Sequence, residues 1–157
     1  YTLVLMSVLY RAGHSGAEEC PNTPPDPFNV ELGKFARPKD WPESAYVCFR
    51  VVLNVSDFHR RLDEALERKR LCDSGDRIFT LFFASPDDTN KNFWCPDCAK
   101  AAPIIRNVLP SIAPNSTFLI IYVGDRETWK KMNNEFRTDP DVRLKVIPTL
   151  IEWGTDK

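Results

Sequence analysis

Residues 77–84, RIFTLFFA, constrain the fold more than any other stretch of the chain. Their apolar side chains do not alternate with polar ones, so the segment reads as a strand covered on both faces, as in the middle of a parallel sheet. Residues 46–53, 117–123 and 149–153 are also strand-like, rich in β-branched and aromatic residues. Between them lie segments of helical period. Phe58, Leu62, Ala65 and Leu66 make one stripe, with Ser56 or Asp57 placed to cap its start and Arg68, Lys69 and Arg70 as a solvated, dipole-matched end. Ala99, Ala102, Ile105, Val108 and Leu109 make a second stripe, bent at Pro103, where a backbone hydrogen bond is lost. Residues 125–137 make a third, with Trp129, Met132 and Phe136 inward. Strand and helix alternating in this way predict an α/β sheet.

Size and charge narrow the function classes. A chain of 157 residues, 43% hydrophobic and 27% charged, suits one globular domain with a small accessory segment. A net charge of −1 makes no electrostatic case for nucleic acid or anionic lipid, and the apolar run 1–10 falls far short of the roughly 20 residues that span a bilayer. Neither nucleic acid nor membrane is an expected partner. Residues 20–27 hold four prolines, so 1–45 is expected to be a poorly ordered N-terminal extension and 46–157 the folded domain. Without an initiating Met or a basic start, residues 1–10 read as a fragment end rather than a signal peptide. Five cysteines are an odd number and too few for a disulfide scaffold; a reducing, cytoplasmic setting fits, with the sequons at Asn54 and Asn115 unused.

The chemistry is concentrated in Trp94-Cys95-Pro96-Asp97-Cys98, which follows a polar loop at 85–93 and opens the second helix. Cysteines three apart at a helix start share one side of the first turn and can close a disulfide. Unpaired N–H groups and the positive end of the helix dipole favour a thiolate at Cys95, the expected nucleophile. Cys98, a turn further in, is the expected resolving thiol, protonated until a mixed disulfide forms on Cys95. Asp97 is expected to face solvent and to bear on partner choice. The same spacing is half a zinc site, but Cys20, Cys48, Cys72, His14 and His59 supply no second pair, so no metal is expected. Cys48, in a strand pattern, reads as a small buried hydrophobe and Cys72 as exposed before a turn.

The Trp-Cys-x-x-Cys unit, Pro103 five residues beyond it, and Ile147-Pro148-Thr149 ahead of a strand resemble the thioredoxin superfamily. The form WCPDC, the extended loop before it, and Trp129-Lys130 followed by residues 133–137, NNEFR, are similar to the thioredoxin-related protein 14 (thioredoxin domain-containing protein 17) family over residues 55–155. The resemblance implies a central mixed sheet flanked by helices, with the chain stopping before that fold's final strand and helix. It also implies a cis bond at Ile147-Pro148, which proline makes accessible at about 0.5–1 kcal/mol. Ile147 and Pro148 would then lie against the dithiol and leave the flanking backbone free to pair with an extended substrate. Trp94 would shield one side of the sulfur, and Pro96 and Asp97 would tune redox poise and surface charge. Thioredoxins proper carry a buried carboxylate in the strand before the dithiol; residues 77–84 contain none.

The expected function is protein-disulfide reduction by dithiol-disulfide exchange. By resemblance, electrons come from NADPH through thioredoxin reductase to a monomer with no bound cofactor. The implied substrates are protein disulfides or small ones such as cystine, with peroxide removal and modulation of cytokine signalling as further roles. The rival reading is a non-catalytic adaptor that keeps the fold, and a Cys95→Ser comparison separates the two.

Overall fold

A computed structural model of the chain describes residues 48–72, 77–86, 92–113 and 116–154. The expected extension over 1–45, and the side chains of Cys48 and Cys72, lie outside what is described. Strands β1 (Cys48–Val52), β2 (Ile78–Phe83), β3 (Thr117–Tyr122) and β4 (Thr149–Trp153) form one sheet in the order β1-β3-β2-β4. The first three run parallel and β4 is antiparallel to β2, which makes the expected mixed sheet. The helices are α1 (Val55–Cys72), α2 (Pro96–Val108) with a 3-10 turn at Leu109–Ser111, α3 (Arg126–Lys130) and α4 (Glu135–Thr138).

β2 and β3 are buried along their whole length, and the two-residue period of a strand sends neighbouring side chains to opposite faces. On one face Phe79, Leu81 and Phe83 join Cys98, Ala102 and Leu109. On the other, Ile78 and Phe82 join Phe58, Leu62 and Ala65 of α1 with Trp129 and Phe136. A strand apolar throughout is what a sheet with helices on both sides demands, so the reading of 77–84 holds.

Local details depart from the sequence reading for identifiable reasons. The α1 cap is Asn54, not Ser56 or Asp57: its Oδ1 accepts the Asp57 N–H at 2.8 Å, and Val55 is thereby free to pack on the core. The basic end of α1 is not wholly solvated, because Arg68 Nη2 donates to Thr117 Oγ1 at 2.6 Å and ties the helix to β3. In α2 the inward stripe is Cys98, Ala102, half-buried Ile105 and then Leu109, at four- and three-residue steps; Ala99 and Val108 fall beside it and are exposed. The helix continues through Pro103, which is itself exposed.

The expected single helix over 125–137 is two. Asn134 is buried, accepts the Phe136 N–H at 3.1 Å and donates to the carbonyls of Val123 and Thr128, both at 3.3 Å. An asparagine side chain that satisfies backbone groups in this way ends one helix and starts the next. Trp129 and Phe136 remain inward as expected, but Met132, in the connection, is 88% exposed.

His59 and Asp139 pin α1 to the turn after α4, with Nε2 and Oδ2 2.6 Å apart; Asp141 Oδ2 lies 3.8 Å from Nδ1. Burial works against the charge of Asp139. Hydrogen bonds from His59 and from the N–H groups of Val142 and Asp141 outweigh it and hold the carboxyl below the usual aspartate range. A carboxyl depressed by folding adds stability that is full above the unfolded value, about 3.9, and is lost as pH falls through the folded one. His59→Ala is therefore expected to lower stability by about 2 kcal/mol at neutral pH. Asp139→Asn should flatten the acid limb of a plot of urea midpoint against pH. An unchanged acid limb would show that the pair adds nothing.

Candidate active site

The dithiol sits where β2 and β3 end. Because these strands are parallel, both deliver their following loops to one edge of the sheet, and antiparallel β4 brings its start there, with Thr149 opposite Phe82. The loop after β2 leads to Cys95, the turn after β3 holds Gly124, and Ile147 and Pro148 precede β4. Trp94 and Ile147 each pack against both cores, which places them at the seam where the two faces of the sheet meet.

Cys95 is the N-cap of α2, in extended conformation with φ −93° and ψ 115°, and Pro96 occupies the first turn, where its missing N–H costs nothing. Its sulfur takes the part usually played by a serine or aspartate oxygen: Cys95 Sγ accepts the Cys98 N–H at 3.3 Å. The capping geometry thus brings the two cysteines together, and both are free thiols. Cys95 keeps 7% of its surface exposed and Cys98 none, the order expected of an outer and an inner thiol. Pro96 and Asp97 face solvent, as expected for Asp97.

Burial pushes the Cys98 thiol up to about 12; a hydrogen bond from the Ala84 backbone opposes this, while Cys95 and Asp97 add to it. Cys98 is thereby held as a neutral thiol. No carboxylate lies on β2, and its buried polar residue, Thr80, accepts the Trp153 indole N–H at 2.8 Å.

The Ile147-Pro148 peptide is cis. The Ile147 carbonyl oxygen lies 3.9 Å from Cys95 Sγ, which sets the residue before the cis proline beside the outer sulfur. Trp94 is half-buried and its indole Nε1 donates to the Gly124 carbonyl at 3.0 Å. Gly124 and Ser85 were not among the residues singled out from sequence, although a glycine directly after an apolar strand and before an aspartate cap is a recognisable sign of a special turn.

His59, Asp139 and Asp141 form a cluster with metal-ligand atoms within 4.8 Å of one another. Each imidazole nitrogen faces a different carboxylate, an arrangement that suits a hydrogen-bonded pin. No helix among the described residues is long and apolar enough to cross a membrane.

Comparisons with known proteins identify the family. The family described as "Thioredoxin domain-containing protein 17-like, thioredoxin domain" matches residues 52–157. The chain is 41% identical over 81 residues to Thioredoxin domain-containing protein 17 of Danio rerio, covering 52% of this chain and 63% of that protein. It is 34% identical over 104 residues to the Homo sapiens protein of the same name, covering 66% and 76%. With the Thioredoxin-like protein Clot of Arabidopsis thaliana it shares 37% over 78 residues, 50% and 58% of the two chains. The match spans strands β2 to β4, the dithiol helix and the Ile147-Pro148 turn together, and the chain belongs to the thioredoxin domain-containing protein 17-like family of thioredoxin domains.

Proposed function

We propose that the chain is a dithiol-disulfide oxidoreductase that works as a protein-disulfide reductase. The observation that carries this reading is the cap at the start of α2, where Cys95 Sγ receives the Cys98 N–H at 3.3 Å and keeps the outer position. A thiolate at Cys95 attacks a substrate disulfide, forms a Cys95–substrate bond and expels one substrate thiolate. Cys98 then gives up its proton to water, attacks Cys95 Sγ and expels the second, leaving the Cys95–Cys98 disulfide. Two electrons pass to the substrate, and no resident cofactor is required.

Regeneration needs a two-electron donor, and we assign this to NADPH through thioredoxin reductase. Trp94 walls one side of the outer sulfur. In this reading the backbone of Ile147 and Pro148 pairs with an extended substrate, and Asp97 biases which partners approach. Restricted protein disulfides and small disulfides such as cystine are the substrates of this reading. A cytoplasmic monomer, peroxide removal and a part in cytokine signalling extend it. The test couples the chain to NADPH and thioredoxin reductase with a disulfide substrate. NADPH consumption that depends on Cys95 supports the proposal; equal consumption by wild type and Cys95→Ser would leave the fold as a binding module.

A further inference from the structure

Gly124 stands at the centre of a small hydrogen-bonded node beside the dithiol. Its carbonyl accepts both the Trp94 Nε1–H at 3.0 Å and the Ser85 N–H at 3.2 Å, while its own N–H donates to Ser85 Oγ at 3.1 Å. The turn after β3 is thus clamped to the loop after β2, and the same carbonyl holds the indole of Trp94, the residue that precedes Cys95.

The clamp needs glycine. Gly124 has φ +98°, where side chains are strained, and a Cβ there would lie 2.9 Å from Thr128 Cγ2. Thr128 cannot readily give way, since its N–H donates to the Asp125 cap at 2.7 Å and its carbonyl accepts from buried Asn134. Two helix caps therefore fix the floor against which Gly124 is pressed.

We infer that Gly124 and Ser85 are positioning residues of the disulfide-exchange centre, holding the Trp94 indole as a fixed wall beside Cys95 against which a folded protein substrate docks. This rests on the reductase reading above. A small disulfide reaches the outer sulfur without leaning on the wall, whereas a protein disulfide buries the wall in its interface. Loosening the indole therefore raises KM for a protein substrate and leaves kcat, and the kinetics with a small disulfide, nearly unchanged.

The test uses Ser85→Ala, which removes one bond of the node, with Gly124→Ala as the more severe change and Trp94→Phe as the background lacking the indole donor. Two readouts are taken: exchange of the Trp94 indole N–H by NMR, and kinetics on an intact insulin-type protein disulfide against cystine. Ser85→Ala is expected to speed indole exchange and to raise KM for the protein disulfide about fivefold each, the factor one ordinary hydrogen bond carries. In the Trp94→Phe background the same substitution should change KM less than about twofold. Unchanged indole exchange, equal changes for both substrates, or an undiminished effect without the indole would each overturn the inference. Should Gly124→Ala fail to fold, Ser85→Ala decides alone. Wild type inert toward both disulfides would sink the reductase reading instead, a result separate from the exchange measurement.

Discussion

Cys95→Ser is expected to lose disulfide reduction by at least about a thousandfold, the largest effect of any single substitution in this chain. A serine at the cap can still accept the Cys98 N–H, so α2 should start where it does now and stability should change little. What disappears is the nucleophile. A hydroxyl ionises far too reluctantly to attack a sulfur, and Cys98 cannot substitute: it is wholly buried and kept protonated by that burial. Turnover of insulin disulfides with NADPH and thioredoxin reductase measures the loss. A Cys95→Ser protein that keeps more than about a tenth of wild-type turnover would mean that the outer sulfur is not the attacking group.

The second large effect is that of Cys98→Ser, and it differs in kind. The first exchange is intact, so one substrate thiolate leaves and the other half remains bonded to Cys95. We expect a burst of about one released thiol per chain, then a steady rate at least about a hundredfold below wild type, with the adduct visible in a non-reducing mass spectrum. The inner thiol has its own signature. With burial pushing Cys98 up to about 12, the thiolate is scarce at any lower pH and grows as pH climbs toward that value. In Cys95→Ser protein, alkylation of Cys98 should therefore be slow at neutral pH and rise about tenfold per pH unit through the alkaline range. A plateau reached near pH 9 would show an inner sulfur that is not desolvated. β2 offers no carboxylate to take the Cys98 proton, and Asp97, whose charge opposes a thiolate at Cys98, faces solvent.

Much of this was legible in the chain itself. Residues 77–84 declared a central strand because both faces of the sheet need apolar cover, and the helical period from Ala99 onward put the dithiol at a helix start; that Cys95 is the cap and Pro96 fills the first turn came only with the structure. Periodicity was less able to place ends. Asn54 and Ser56 are both good caps, and only the packing of Val55 on the core chooses between them. The break before Asn134 was hidden for a similar reason: Trp129, Met132 and Phe136 fit a helical stripe, but a buried amide that bonds the Val123 and Thr128 carbonyls outweighs the pattern and turns Met132 outward. The Gly124 node was legible only as a turn: the bonds from its backbone to the Trp94 indole and the Ser85 hydroxyl join residues 30 and 39 positions apart, which no local pattern announces.

The most direct test is a single-turnover mass measurement. Reduced chain is mixed with cystine, quenched with acid, digested and mapped, and the released cysteine is counted. The account predicts that each disulfide consumed yields two thiols and one internal bond joining Cys95 to Cys98. Recovery of Cys95 and Cys98 as unlinked thiols, or their oxidation only to Cys20, Cys48 or Cys72, would contradict it.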